Sequence, residues 1–212
     1  MSNWNKWYRN KGFKVEPEIP SINKMLKARS RVLDVGCGHG RHVMYFAGKG
    51  HEVYGLDNYK PILRQLKKDL LKADLNATLK LYDINKGLPY PNKYFDLVLA
   101  TRAIHHTTGK DLREIFKEIN RVTKSKGLLF LQIPSYEDSQ KFEKTWAEYG
   151  KPVTHEWIEP HTYVPLSGHE KGIPHVSLDK KELVGFLKNY RLVKMHVGKR
   201  HYHGYCVIAK KI

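Results

Sequence analysis

The 212-residue chain is 41% hydrophobic and 28% charged, which suits one domain with a single core; no run of about 18 apolar residues exists to cross a membrane. Its N-terminus lacks the apolar stretch of a signal peptide, and its two cysteines, Cys37 and Cys206, give no disulfide framework, so a cytoplasmic location is expected. Lys and Arg number 38 against 21 Asp and Glu, a net +17, an excess that favours RNA or other polyanions but serves solubility equally well.

In chain order, residues 1–20 hold Trp4, Trp7, Tyr8 and Phe13 among basic residues, then a proline-bracketed connector, Glu16 to Pro20. Ile22 to Ala28 reads as a short helix. Val32, Leu33 and Val35 form an apolar run of the kind buried on both faces of a sheet, interrupted by one carboxylate, Asp34. The alternate glycines Gly36, Gly38 and Gly40 then allow a sharp turn and a close approach of backbone to a ligand. From Arg41 the spacing is helical, with Val43, Met44, Phe46 and Ala47 inward. Strand, glycine turn and helix start together form a place where a nucleotide-like ligand rests on free backbone N–H groups.

The glycine spacing distinguishes ligands. Dinucleotide enzymes use G-x-G-x-x-G to seat a pyrophosphate. Here the glycines alternate strictly and Asp34 precedes them, a carboxylate that repels a pyrophosphate and suits a cationic amino group. A second strand, Glu52 to Leu56, ends in Asp57, an acid suited to both ribose hydroxyls. With these residues the sequence resembles the class I S-adenosylmethionine-dependent methyltransferases, whose signature is acid-x-Gly-x-Gly-x-Gly. The resemblance runs from about Trp4 to Lys210. It implies S-adenosyl-L-methionine as cofactor, with S-adenosyl-L-homocysteine as product, held by Asp34, Gly36, Cys37, Gly38, Gly40, Asp57 and Asn58. It also implies that residues 1–29 cap the cofactor through Trp4 and Tyr8; an aromatic staple against the core is the competing reading of that pair.

After Asp57, Asn58 caps a helix with Pro61 in its first turn, and Ile62, Leu63, Leu66 and Leu70 face the core. Ala77 to Tyr82 reads as a third strand ending at Asp83-Ile84. By the family's pattern Asp83 accepts a hydrogen bond from the adenine amino group and Ile84 packs on the ring; a turn cap is the alternative for Asp83. Leu88-Pro89-Tyr90-Pro91 leads into the buried strand Tyr94 to Ala100, in a form typical of the family. Asp96, at its start, is read as structural. At its end Thr101-Arg102-Ala103-Ile104-His105-His106 falls beside the transferred methyl, with Thr101 counted among the cofactor contacts. Lys110 to Lys124 is an amphipathic helix with Leu112, Ile115, Phe116, Ile119 and Val122 on one stripe, stopped at Gly127. Leu128 to Ile133 is strand five.

Residues 135–176 leave the alternation and are read as a lid: a helix over roughly 137–149, then an irregular cover. Its Trp157, Tyr163 and His175 are candidate substrate contacts. Ser177 caps a last helix, and Arg191–Val197 with Tyr202–Lys210 make a terminal hairpin. The whole predicts one α/β domain over 1–212, a doubly wound, mostly parallel sheet of about seven strands ending in an antiparallel hairpin.

Methyl transfer from a sulfonium is an in-line displacement in which the protein supplies position, a dry pocket and sometimes a base. His105, His106 and His175 are the candidate bases, with one of the adjacent pair His105 and His106 favoured. The spacings of six, eight and six between His155, His161, His169 and His175 match no compact ligand motif, so no metal is expected. A small-molecule acceptor is the first reading. RNA follows, prompted by the charge and by Ile104-His105-His106, which also occurs in enzymes modifying the tRNA wobble uridine. A non-catalytic S-adenosylmethionine-binding protein is the third. Oligomeric state is not readable from the sequence.

Overall fold

Val32, Leu33 and Val35 are fully buried because the strand they form, β1 (Arg31–Val35), lies in the middle of a sheet with helices on both faces. The computed structural model describes residues 14–140, 155–167, 170–198 and 204–212. Trp4 and Tyr8, and residues 141–149 of the helix expected after strand five, lie outside them. The sheet has seven strands in the order β3-β2-β1-β4-β5-β10-β9. β2 (Glu52–Asp57), β3 (Thr78–Leu81), β4 (Phe95–Thr101) and β5 (Thr123–Pro134) run parallel to β1, whereas β10 (Gly204–Lys211) is antiparallel to both β5 and β9 (Tyr190–Gly198). This is the doubly wound sheet with a terminal hairpin that the alternation of elements predicts.

Strand parity assigns the two cores. Leu33 and Val35 point to the face covered by α4 (Gly109–Val122) and α5 (Lys180–Phe186). Val32 points to the other, against α1 (Ile19–Lys24), α2 (Arg41–Gly48) and α3 (Lys60–Lys72). Asp34 shares the face of Val32, so its carboxylate is delivered beneath α2. The stripe Leu112, Ile115, Phe116, Ile119 and Val122 of α4 is buried as its periodicity requires.

Several local expectations are corrected. The residue preceding α3 is Tyr59, with no side-chain cap; Asn58 is turned to the cavity described below. α5 is capped by Asp179, not Ser177: Asp179 and Glu182 form a reciprocal capping box, and Ser177 instead donates its N–H to the His161 carbonyl at 2.9 Å. α4 ends at Val122 and runs straight into β5, so Gly127 lies inside a strand, where a side chain would meet the Lys124 and Phe95 carbonyls. The cover after residue 154 is not irregular. It is a three-stranded antiparallel sheet, β6 (His155–Glu159), β7 (Thr162–Pro165) and β8 (His175–Val176).

That small sheet is fastened to the body at both ends. The Glu159 carboxylate accepts the Gly109 N–H at 2.7 Å, filling a free donor at the start of α4. Val176 donates its N–H to the His105 carbonyl at 2.8 Å. Among the described residues no helix is long and apolar enough to cross a membrane.

Candidate active site

The C-terminal ends of β1, β2 and β4 open onto one cavity of about 270 Å³. The crossovers on either side of β1 leave to opposite faces of the sheet, and the crevice between them is where a doubly wound fold binds its ligand. Gly36 and Gly38, both in the left-handed region at φ 69° and 52°, form its floor, and a side chain on Gly36 would collide with Ala103. The Asp57 carboxylate lies on the wall and is held from two sides: the Gly38 N–H donates to Oδ2 and the Tyr59 N–H to Oδ1, each at 2.9 Å. Burial nevertheless pushes its pKa up, against the pull of those two donors. A carboxylate so fixed and half-desolvated is disposed to accept further hydrogen bonds from hydroxyl groups.

Asp83 and Ile84 line the same cavity. Asp83 also accepts the Asn85 N–H at 3.0 Å and caps a short 3-10 turn, the second of the two readings of this residue. Asn58, Tyr59 and Tyr82 complete the wall at the β2 and β3 side; Arg102, Ala103, His106 and Ile173 form the opposite wall.

Four other candidates do not line the cavity. Thr101 and Cys37 are buried behind it, and burial, aided by Asp34 and Asp57, pushes the Cys37 thiol well up. Gly40 begins α2 at φ 78°, a position where any Cβ would strike Leu66. Asp34 is 1% exposed, and neither of its oxygens has a hydrogen-bond partner among the described residues. His42 Nδ1 stands 3.5 Å from it.

The arrangement around Asp34 escapes sequence reading. His42 Nε2 lies 2.5 Å from Glu16, whose other oxygen is 2.7 Å from Arg41 and 3.4 Å from Arg102. Burial opposes charge on both partners, but the contacts win: Glu16 is held at about 2 by His42 and Arg41, and His42 is raised by Asp34 and Glu16. A signal existed in the sequence, since His42 falls one turn before Phe46 on the inward stripe of α2. Its partner in the proline-bracketed connector carried none.

On the far wall the structure gathers the three candidate bases. The rings of His105 and His106 are 4.0 Å apart, those of His106 and His175 4.7 Å, and those of His105 and His175 5.6 Å. Only His106 reaches the cavity surface. His105 is 7% exposed, and burial, helped by its two histidine neighbours, lowers its pKa well below the usual range, so it is neutral. Tyr163 stacks on His175 at 5.1 Å, and Trp157 contacts Tyr163 edge-on at 5.4 Å. The three substrate candidates therefore form one chain of rings leading away from the cavity.

This strand order, with the glycine turn after β1 and an acid ending β2, defines the class I methyltransferase fold. The family model of the methyltransferase domain matches residues 32–127 of the chain. It is 31% identical over 116 residues to an uncharacterized methyltransferase of Synechocystis, an alignment covering 54% of this chain and 51% of that protein. It is 29% identical over 134 residues to the 27-O-demethylrifamycin SV methyltransferase of Amycolatopsis mediterranei, covering 60% and 48%. The chain spans about half the length of the curated relatives it matches. A solved S-adenosylmethionine-dependent methyltransferase of Methanosarcina mazei superposes with a TM-score of 0.76 at 22% identity, covering 94% of this chain and 99% of that one. S-adenosylmethionine is the cofactor of this class, and the residues present fit it: a backbone floor that a single Cβ would block, and a half-buried carboxylate facing the space above.

Proposed function

We propose that the chain transfers a methyl group from S-adenosylmethionine to a small-molecule acceptor. The observation that carries this reading is a single cavity with two unlike walls, the glycine turn, Asp57, Asp83 and Ile84 on one side and Arg102 and His106 on the other. When bound, the cofactor supplies an electrophilic methyl group on a sulfonium. Asp57 accepts hydrogen bonds from its ribose hydroxyls, Asp83 and Ile84 flank its adenine, and Gly36 and Gly38 let the backbone approach. Residues 1–29 cap it, and Glu16, ion-paired with Arg41 and Arg102, ties the connector to the start of α2 and to the wall that Arg102 lines.

The acceptor sits against His106, which takes its proton as the methyl arrives. The Glu170 carboxylate, 3.7 Å from His106 Nε2, favours the imidazolium so formed. His105, neutral and buried, positions His106 rather than touching the acceptor. The 27-O-demethylrifamycin SV methyltransferase, by its name, acts on a small molecule, which supports this class of acceptor. Two buried free thiols, Cys37 and Cys206, suit a reducing cytoplasm.

Labelled S-adenosylmethionine incubated with the protein and a cell extract, with and without ribonuclease, tests the reading. Label entering a ribonuclease-resistant, low-molecular-mass product is expected. Label confined to RNA would replace the small molecule by the alternative that the +17 charge suggests, and no label transfer with cofactor bound would leave a binding protein.

A further inference from the structure

We propose that His105, His106 and His175, with Glu170, form a binding site for one divalent transition-metal ion of the zinc class at the acceptor wall of the cavity. One ligand atom from each histidine lies within 4.8 Å of the other two. The Nε2 atoms of His106 and His175 are 3.7 and 3.5 Å from the two oxygens of Glu170. These separations exceed a hydrogen bond but approach the roughly 3.3 Å edge of a tetrahedral shell with zinc–nitrogen bonds of about 2.0 Å. The Nδ1 of His105 is buried without a hydrogen-bond partner among the described residues, which leaves its lone pair or proton available to a ligand.

The fold holds the cluster together by design of its backbone. His105 and His106 follow β4, while His175 begins β8, and the hydrogen bond from the Val176 N–H to the His105 carbonyl locks one segment against the other. Burial, and then the two neighbouring imidazoles, lower the pKa of His105. The neutral imidazole that results at His105 is the form a metal requires. Spacing within the 155–175 region hides such a site, because only one of its histidines takes part.

His106 and Ile173 carry the cluster to the cavity surface, so an acceptor group entering the cavity reaches the ion as a fifth ligand. Resting on the proposed methyl transfer, this narrows the acceptor to molecules with a ligating hydroxyl or thiol. The ion then lowers the pKa of that group, its proton leaves to solvent, and His106 acts as ligand in place of base.

Calorimetry with Zn(II) and visible spectroscopy with Co(II), on untagged metal-stripped protein without cofactor or acceptor, test the site. One equivalent is expected to bind, with the intense visible absorption of tetrahedral Co(II). His106→Asn should weaken binding by more than about 100-fold, beyond the loss of an outer-shell partner. His196→Asn, at a separate group with Glu18 and Cys206, should leave it unchanged. Thermal melting of both variants confirms that they fold. Absence of saturable binding, retention of binding in folded His106→Asn, or equal loss in His196→Asn overturns the proposal. None of these outcomes touches the methyl-transfer reading, since neither cofactor nor acceptor is present.

Discussion

A Cβ built on Gly36 would stand 2.3 Å from the Cβ of Ala103. The turn after β1 and the turn after β4 thus meet at the width of a bare backbone, and the cavity floor exists because residue 36 has no side chain. Gly36→Ala combines that collision with a backbone at φ 69°. It should destabilise the fold by about 1–3 kcal/mol and abolish measurable S-adenosylmethionine binding, as read by thermal melting and calorimetry.

Asp57 has two backbone donors of its own and still faces the cavity. Asp57→Ala removes the acceptor for the ribose hydroxyls and leaves the Gly38 and Tyr59 N–H groups without their partner. Cofactor affinity should fall by about 1–3 kcal/mol. Calorimetry at fixed salt checks this, and an unchanged affinity would place the ribose elsewhere.

Glu16 and His42 give stability opposite pH dependences. Glu16 is held at about 2 in the folded protein against an unfolded value of 4.5, so its contribution is complete above 4.5 and is lost as pH falls toward 2. His42 is raised above 6.5, so its contribution is complete below 6.5 and is lost as pH rises through the folded value. Glu16→Gln should flatten the fall in melting temperature between pH 4.5 and 2 and lower the pKa of His42. Melting curves across pH and an NMR titration of the His42 ring report the two effects separately.

His106 is the histidine that reaches the cavity, while its neighbours stand behind it. In metal-free protein, His106→Asn should lower kcat by about 10²- to 10⁴-fold, the range for loss of a positioned proton acceptor, with cofactor affinity nearly unchanged. Initial rates with the acceptor found by the labelling screen, alongside cofactor calorimetry, check the split.

What could be read from the sequence was local in origin. β1, β2, β4 and α4 announce themselves by composition and period, and the glycine turn by spacing, because each is decided within a dozen residues. The small sheet of β6, β7 and β8 was not legible. His155–Glu159 is mostly exposed on both faces, so it lacks the alternation that betrays a half-buried strand. Ser177 and Asn58 have the right chemistry for caps, but the cap belongs to whichever residue the backbone sets at the helix start, and that lies one or two positions later. The pairing of Glu16 with His42, and of His175 with His105 and His106, joins distant segments and becomes visible only once the sheet is built.

The hydrogen bond between Val176 and His105 is the seam at which two building plans meet. On one side lies the cradle, assembled from the C-terminal ends of neighbouring parallel strands. On the other lies the small sheet of β6, β7 and β8, whose His175 packs against His105 and His106. On the proposed reading, variation in that sheet retunes which molecule is accepted while the donor half stays constant, and chimeras exchanging it test this by their acceptor choice.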